Sequence, residues 1–410
     1  MTADGLSAID VARRFGIAKN VAAAVLTPGT EIDSSGTTPG PVARAAASPT
    51  AERVLAVTPY GEAAVAPRVA PDAVLANAFR VRRYERSGEY AFHAALPSVR
   101  AKYPVALRDR DGLVYDPWAD TWNGEPRTST ADFTLEGWAE RLPDFYGPLR
   151  TVLIRLEIGF ALRHCAEMLA IFRQRIADID PGLAESPPAV RFSVTDGEGT
   201  TPLERRGTPA GAGSWSGVLG RRSAGRMPRG LPGMYLAASP GCTGDELRHI
   251  ADWQLPAPNA LGDNASTLTV VYRTSTDRWR VIRRGPGAGA VTGEFPTPSL
   301  NGILAGHGGP NTARNGNYLH RAELLAFVTA DLLRIHRLGG EDAVYRSYVA
   351  AGWLIQGLTY PAAAAARILR PTRSFDDVSV TSALDLPREH HVLLACVVGR
   401  SPQQGIEVPL

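Results

Sequence analysis

YRSYVAAGWLIQGLTYPAAAAARILRPTRSFDDVSVTSALDL (345–386), with HVLLACVVGR (391–400) closing behind it, is the stretch whose reading decides the fold. Read from Asp342, three residues upstream, DAVYRSYVAAGWLIQGL has the length and apolar density of a buried helix and stops at Pro361, a residue that cannot continue one. HVLLACVVG is a short run with no polar alternation, the pattern of a strand buried on both faces. Upstream, HRAELLAFVTADLLRIHRLGG places Leu325, Val328, Leu332 and Ile335 on one helical face and ends at Gly339-Gly340, a stop signal. The spacing predicts a helix there. LTVVYR and RWRVIRR, separated by Ser-Thr-Asp, predict a strand pair.

Working outward, LRTVLIRLEIGFALRHCAEMLAIF (149–172) predicts a second long buried helix, with Val152, Leu156, Phe160 and Leu169 at helical spacing. It carries Ile158-Gly159-Phe160; the later helix carries Ala351-Gly352-Trp353. This aliphatic-glycine-aromatic step, repeated at about half the chain length, points to a duplicated unit, or to a chance likeness between two buried helices. GLVYDPWADTW reads as a strand and a turn at Asp116-Pro117. Segments rich in Gly, Pro, Ser and Thr divide the chain into a flexible N-terminal segment (1–50), a first half (51–200), a linker (201–219) and a second half (220–410).

The bulk properties exclude several classes. At 410 residues the chain is long for a single core. Its formal charge of +3 argues against a dedicated nucleic-acid binder. No apolar run approaches the roughly 18 residues of a membrane helix, and MTADGLSAIDVARRFG does not read as a signal peptide, so a cytoplasmic protein is expected. Cys165, Cys242 and Cys396 are too few and too scattered for a disulfide framework or a zinc site. Asp376-Asp377 reads as a helix N-terminus, not a metal site, and His390-His391 as loop residues. Lysine occurs only at Lys19 and Lys102, which restricts lysine chemistry to two places.

One segment concentrates phosphate chemistry: Gly220-Arg221-Arg222-Ser223-Ala224-Gly225-Arg226. Guanidinium forks match phosphate oxygens bidentately, and a serine hydroxyl adds a short hydrogen bond. A solvated basic linker would look the same in isolation.

In order and spacing, these segments resemble the FMN-dependent nitroreductase superfamily. The clamp-like 221–226 segment matches the Arg-Arg-Ser-x-x-Arg opening of its units, and VLLACVVGR matches their closing strand, with Arg400 as a second basic contact. The match spans most of residues 220–400. In the first half, ALPSVRAKYP (95–104) and GLVYDPWADTW resemble the Pro-Ser loop and Tyr-Asp-Pro strand of the azoline-oxidising branch, whose members act in thiopeptide-type ribosomal peptide pathways. The resemblance implies an α+β fold: a tandem nitroreductase-like sandwich whose two degenerate halves form an intramolecular pseudo-dimer. It implies one FMN per chain, its phosphate on Arg222, Ser223, Arg226 and Arg400, its ring against Pro97, Ser98 and Arg100. It further implies oxidation of thiazolines or oxazolines to azoles on a peptide substrate, with a cyclodehydratase as possible partner, by a monomer or homodimer. An NAD(P)H-dependent small-molecule flavin oxidoreductase and a flavin-less scaffold are the alternatives. The branch carries a Lys-Tyr pair just before the Tyr-Arg helix; here that place reads Arg337-Leu338-Gly339-Gly340. The chain's Lys-Tyr pair is Lys102-Tyr103 beside the Pro-Ser segment, so these two are the catalytic candidates, with Lys102 as the base. Tyr345 and Tyr348 read as core residues.

Overall fold

The computed structural model describes residues 43–45, 49–65, 69–80, 83–87, 90–93, 104–117, 120–123, 131–142, 144–197, 213–221, 249–250, 256–262, 266–275, 278–284, 291–296, 322–373, 375, 377–400 and 406–409. In chain order the elements are β1 (Ala43–Ala45), α1 (Pro49–Val57), α2 (Pro71–Phe79), β2 (Arg83–Ser87), β3 (Tyr90–His93), β4 (Val105–Asp109), β5 (Val114–Asp116), β6 (Thr121–Asn123), β7 (Asp132–Gly137), α3 (Arg150–Ile171), β8 (Gln174–Gly182) and β9 (Ala189–Asp196). The second half follows with α4 (Trp215–Arg221), β10 (Ser266–Arg273), β11 (Arg278–Arg284), β12 (Val291–Pro296), β13 (Leu324–Ala330), α5 (Leu332–Gly357), α6 (Thr359–Ala364), β14 (Ile368–Thr372), α7 (Asp377–Ala383), β15 (His391–Gly399) and β16 (Ile406–Pro409).

The duplication is written in the topology. The first sheet runs β1-β6-β5-β4-β7-β9-β8 and the second β12-β11-β10-β13-β15-β14. Setting aside the extra edge strand β1, the orders coincide when β4 to β9 are paired one-to-one with β10 to β15. All neighbours are antiparallel, and in each copy a long helix follows the fourth strand. A third sheet joins the halves: β16, from the end of the chain, pairs antiparallel with β2.

The two long helices pack against each other, and their crossing shows why glycine recurs there. A Cβ on Gly159 would lie 2.0 Å from the Val349 carbonyl oxygen; one on Gly352 would lie 2.2 Å from that of Leu156. Each glycine thus abuts the residue three places before the other. The contact is symmetric under exchange of halves, and the repeated glycine step marks where two equivalent helices touch backbone to backbone.

The halves differ in how their sheets are covered. β7 alternates, with Phe133, Leu135 and Gly137 buried and Asp132, Thr134 and Glu136 partly solvated. The outer face of the first sheet is polar, with Arg108 bonded to Glu136 at 2.8 Å and Arg191 to Glu185 at 2.6 Å. In the second sheet Leu324, Ala326 and Val328 enter the central core, while Leu325 and Phe327 enter a second core with Val380, Leu384 and Phe375 beneath α7. With both faces dry, β13 and β15 are almost wholly apolar and buried along nearly their whole length.

That double burial corrects the helix expected across HRAELLAFVTADLLRIHRLGG. Leu324–Ala330 is a strand, and the helix begins at Leu332. Asp331 caps it, its carboxylate accepting from the Arg334 N–H at 2.9 Å. Gly339-Gly340 does interrupt the helix, as a kink rather than an end. Gly340 has φ 65, a left-handed conformation suited to glycine, and helical structure resumes immediately. The strand pair 266–273 and 278–284, the long helix and the turn at Pro117 occur where expected. His391 opens β15 rather than lying in a loop.

Candidate functional site

α3 is buried almost all round, and its charged residues are therefore conspicuous. Arg163 is fully buried and paired with Glu167, one turn on, at 2.7 Å. Its guanidinium lies 5.2 Å from the centre of the Trp353 ring, across the helix crossing. Gly357 leaves room for it: a Cβ there would meet the guanidinium at 2.8 Å. Beside it, His164 Nε2 lies 2.8 Å from the Ala78 carbonyl, which can only accept, so that nitrogen carries a proton. Nδ1 lies 2.6 Å from the Tyr360 hydroxyl, which also accepts from Gln356 Nε2 at 3.2 Å. Trp215 stands edge-on to Tyr60 at 4.8 Å and to Tyr360 at 6.4 Å, with its indole N–H donating to the Glu62 carbonyl at 2.9 Å. Residues of both halves thus hold α4 in place, and α4 ends at Arg221, one residue before the expected clamp.

Arg155 is a second buried cation at the seam. It donates to the carbonyls of Thr151 and Leu183 and stacks 3.6 Å from the centre of the Tyr345 ring. Burial brings its pKa down to about 10. Tyr348 is fully enclosed, and desolvation pushes its phenol up to about 12, which suits a core residue better than a proton donor. Cys165 and Cys396 are buried free thiols, pushed upward by the same cause. Among the described residues no cluster of His, Cys, Asp or Glu is placed to hold a metal ion, and no helix is long and apolar enough to cross a membrane.

Of the expected flavin residues, Arg400 is the one described. It directly follows β15, with its side chain 38% exposed and its Nε 3.9 Å from the carboxylate of buried Glu323. Pro97, Ser98, Arg100, Lys102, Tyr103, Arg222, Ser223 and Arg226 lie outside the described residues. At the place of the branch's Lys-Tyr pair stands the Gly339-Gly340 kink. The sequence reading missed Glu323 and Arg367, an ion pair at 2.8 Å with both side chains 3% exposed. Their signal was present: a lone acid beside the apolar run of β13, and a lone arginine before β14.

Two sheets of one strand order, each followed into a long helix and meeting glycine to glycine, have solved counterparts. A putative nitroreductase from Anabaena variabilis superposes over 80% of this chain and 86% of its own, with a TM-score of 0.59 at 14% identity. The fold is nitroreductase-like. Its match extends across both halves of the chain. Two further similar structures cover 42% of this chain each. One is the E. coli microcin synthetase McbBCD complex with truncated pro-MccB17 bound, at TM-score 0.29, 14% identity and 62% of that chain. The other is an FMN-dependent nitroreductase from Clostridium difficile, at TM-score 0.27, 14% identity and 82% of that chain. No family model matches the sequence, and no curated protein matches it.

Proposed function

We propose that this chain is an FMN-dependent oxidoreductase with one flavin per chain, and that it dehydrogenates azoline rings on a ribosomally made peptide. The observation that carries the flavin assignment is Arg400. It follows the closing strand of the nitroreductase-like second half, the position that the resemblance gives to a phosphate contact. Its Nε is buried and turned toward Glu323 at 3.9 Å, while the side chain as a whole is 38% exposed. A guanidinium anchored on one side and partly open on the other can meet an incoming phosphate oxygen. Arg222, Ser223 and Arg226 would complete the clamp, and their chain is launched from α4, which residues of both halves fix at the seam.

Bound FMN would supply the acceptor for a hydride equivalent. Pro97, Ser98 and Arg100 would line the ring, and Lys102, beside Tyr103, would take the proton from the ring carbon; a desolvated lysine can serve as such a base. The peptide substrate, with a cyclodehydratase as upstream partner, is supported by the resemblance of 95–104 and GLVYDPW to the azoline-oxidising branch. One observation favours a second possibility: the Gly339-Gly340 kink replaces that branch's Lys-Tyr pair, as a scaffold that had shed its chemistry would allow.

The visible spectrum of the purified protein decides between them. A flavin spectrum with one releasable FMN per chain is expected, and Arg222→Ala with Arg226→Ala should abolish flavin retention while circular dichroism stays unchanged. A colourless protein that FMN does not reconstitute would end the enzyme reading. Turnover of an azoline peptide without NAD(P)H consumption supports the peptide assignment. NAD(P)H oxidation with azolines untouched replaces it with small-molecule reduction.

A further inference from the structure

Four neighbouring strands of the second sheet, β10-β13-β15-β14, place a charged residue at the same end. Register places them close together: Tyr272 pairs with Leu324, Leu324 with Val398, and Val398 with Leu369. Arg273 and Glu323 stand one place beyond that row, Arg400 and Arg367 two places beyond it. Backbone bonds tie the row together, from Arg273 N–H to the Glu323 carbonyl and from Glu323 N–H to the Val398 carbonyl, both 2.9 Å.

Glu323 divides its two oxygens. Oε2 accepts from Arg367 Nε at 2.8 Å, and Oε1 faces Arg400 Nε at 3.9 Å. Arg273 lies over the Trp279 ring at 4.6 Å and also feels the Glu323 charge. A carboxylate this buried persists as an anion when cations surround it. Three guanidinium groups and one carboxylate leave two positive charges (3 − 1 = 2) among these four residues. Arg367 and Glu323 are closed off from water, and Arg400 carries the excess outward.

The duplicated half provides an internal control. In the first sheet the row Tyr272–Leu324–Val398 corresponds to Asp109–Phe133–Phe192. One place beyond it Arg110 and Asp132 stand where Arg273 and Glu323 do, an exposed ion pair at 3.4 Å. Two places beyond it the paired residues Val194 and Ile176 stand where Arg400 and Arg367 do. One arginine and one aspartate leave no net charge at these four positions (1 − 1 = 0).

We propose that the Arg273–Glu323–Arg400–Arg367 row is an anion-reading sheet end for a phosphate monoester, with Glu323 as the positioning residue that holds Arg400 toward it, and that duplication left the chain with one such end. The identity of that monoester as the phosphate of a flavin rests on the function proposed above. Riboflavin, which shares the ring and lacks the phosphate, separates anion reading from general structural support.

Titration of flavin-stripped protein with FMN and with riboflavin, followed by flavin fluorescence, tests the assignment. Wild type should bind one FMN per chain and prefer it to riboflavin. Glu323→Gln should weaken FMN by about tenfold, the scale of one charge-assisted contact, and leave riboflavin unchanged. Glu323→Asp should recover part of the loss. Arg400→Ala, which leaves the buried Glu323–Arg367 pair in place, should give the same selective loss should Glu323→Gln not fold. Equal losses for both flavins, or unchanged FMN binding in Glu323→Gln and Arg400→Ala, would overturn the role of the row. A wild type that binds neither flavin removes the flavin assignment alone. Calorimetry with inorganic pyrophosphate then judges the row: binding lost in Arg400→Ala supports it, and absence of binding overturns it.

Discussion

Replacing Gly159 by alanine puts the symmetric helix crossing to its most direct test. In an ordinary helix, glycine to alanine stabilises by about 1 kcal/mol through backbone entropy. Here the new methyl carbon would sit 2.0 Å from the Val349 oxygen and 2.9 Å from the Trp353 nitrogen. Both obstacles are backbone atoms of α5, so no rotamer change relieves them. A carbon needs about 3.3 Å from a carbonyl oxygen, so the helices must part by on the order of 1 Å. A gap of that size forfeits a quarter to a half of each van der Waals well along the contact. Overpacking of a tight core costs about 1–3 kcal/mol, occasionally more. With backbone as the obstruction, about 4 kcal/mol of strain against about 1 kcal/mol of propensity leaves a net loss of about 3 kcal/mol. Gly352→Ala meets the mirror-image clash, 2.2 Å from the Leu156 oxygen, and should cost the same. One separation relieves both clashes, so the double variant should lose well under the sum of the single losses. Gly220→Ala, within α4 and with nothing within 4 Å of its added carbon, is the control and should be neutral or stabilising by up to about 1 kcal/mol. Urea unfolding followed by circular dichroism measures all four. Gly159→Ala at or above wild-type stability, or strictly additive single losses, would refute the backbone contact between the halves.

Three other outcomes follow from the buried polar groups. Glu167→Gln removes the carboxylate charge paired with Arg163 at a fully dry site and should destabilise by about 3–5 kcal/mol in the same assay. Tyr360→Phe leaves His164 Nδ1 and Gln356 without the hydroxyl between them and should cost about 1–3 kcal/mol while keeping the fold, as judged by near-ultraviolet circular dichroism. His390 and His391 are both held below the usual 6.5, in each case mainly by burial. A depressed imidazole means that the unfolded chain takes up protons first. Stability should therefore be fully present above about pH 6.5 and be lost as pH falls through the lower folded-state values. Unfolding measured from pH 7.5 to 5.5 should show this slope, and the His390→Gln, His391→Gln double variant should flatten it.

Much of the fold was legible because burial leaves a periodic trace. The helix at 150–171 announced itself by length and spacing, and β15 by an apolar run too short for a helix. The same logic failed at Leu324–Ala330. A strand dry on both faces has no alternation, so its apolar residues fit a helical wheel equally well, and Leu325 and Val328 were drawn into the following helix. Asp331, the capping residue, was the available clue. At the candidate site Arg400 was expected from its place after the closing strand. Glu323, Arg367 and Arg273 were not, because 50 and then 44 residues separate successive members of that set (323 − 273 and 367 − 323) and only strand pairing brings them together.

By itself the sequence determined where chain is buried, where it turns and which few charges interrupt the apolar runs, since these depend on local period and composition. It also held the repeated glycine step, without showing that the two glycines meet. The tertiary structure decided that they do, because backbone contact across nearly 200 residues leaves no local signature. It likewise decided which sheet is covered twice and which strand ends gather three arginines about one carboxylate. Those outcomes depend on the order in which strands pair.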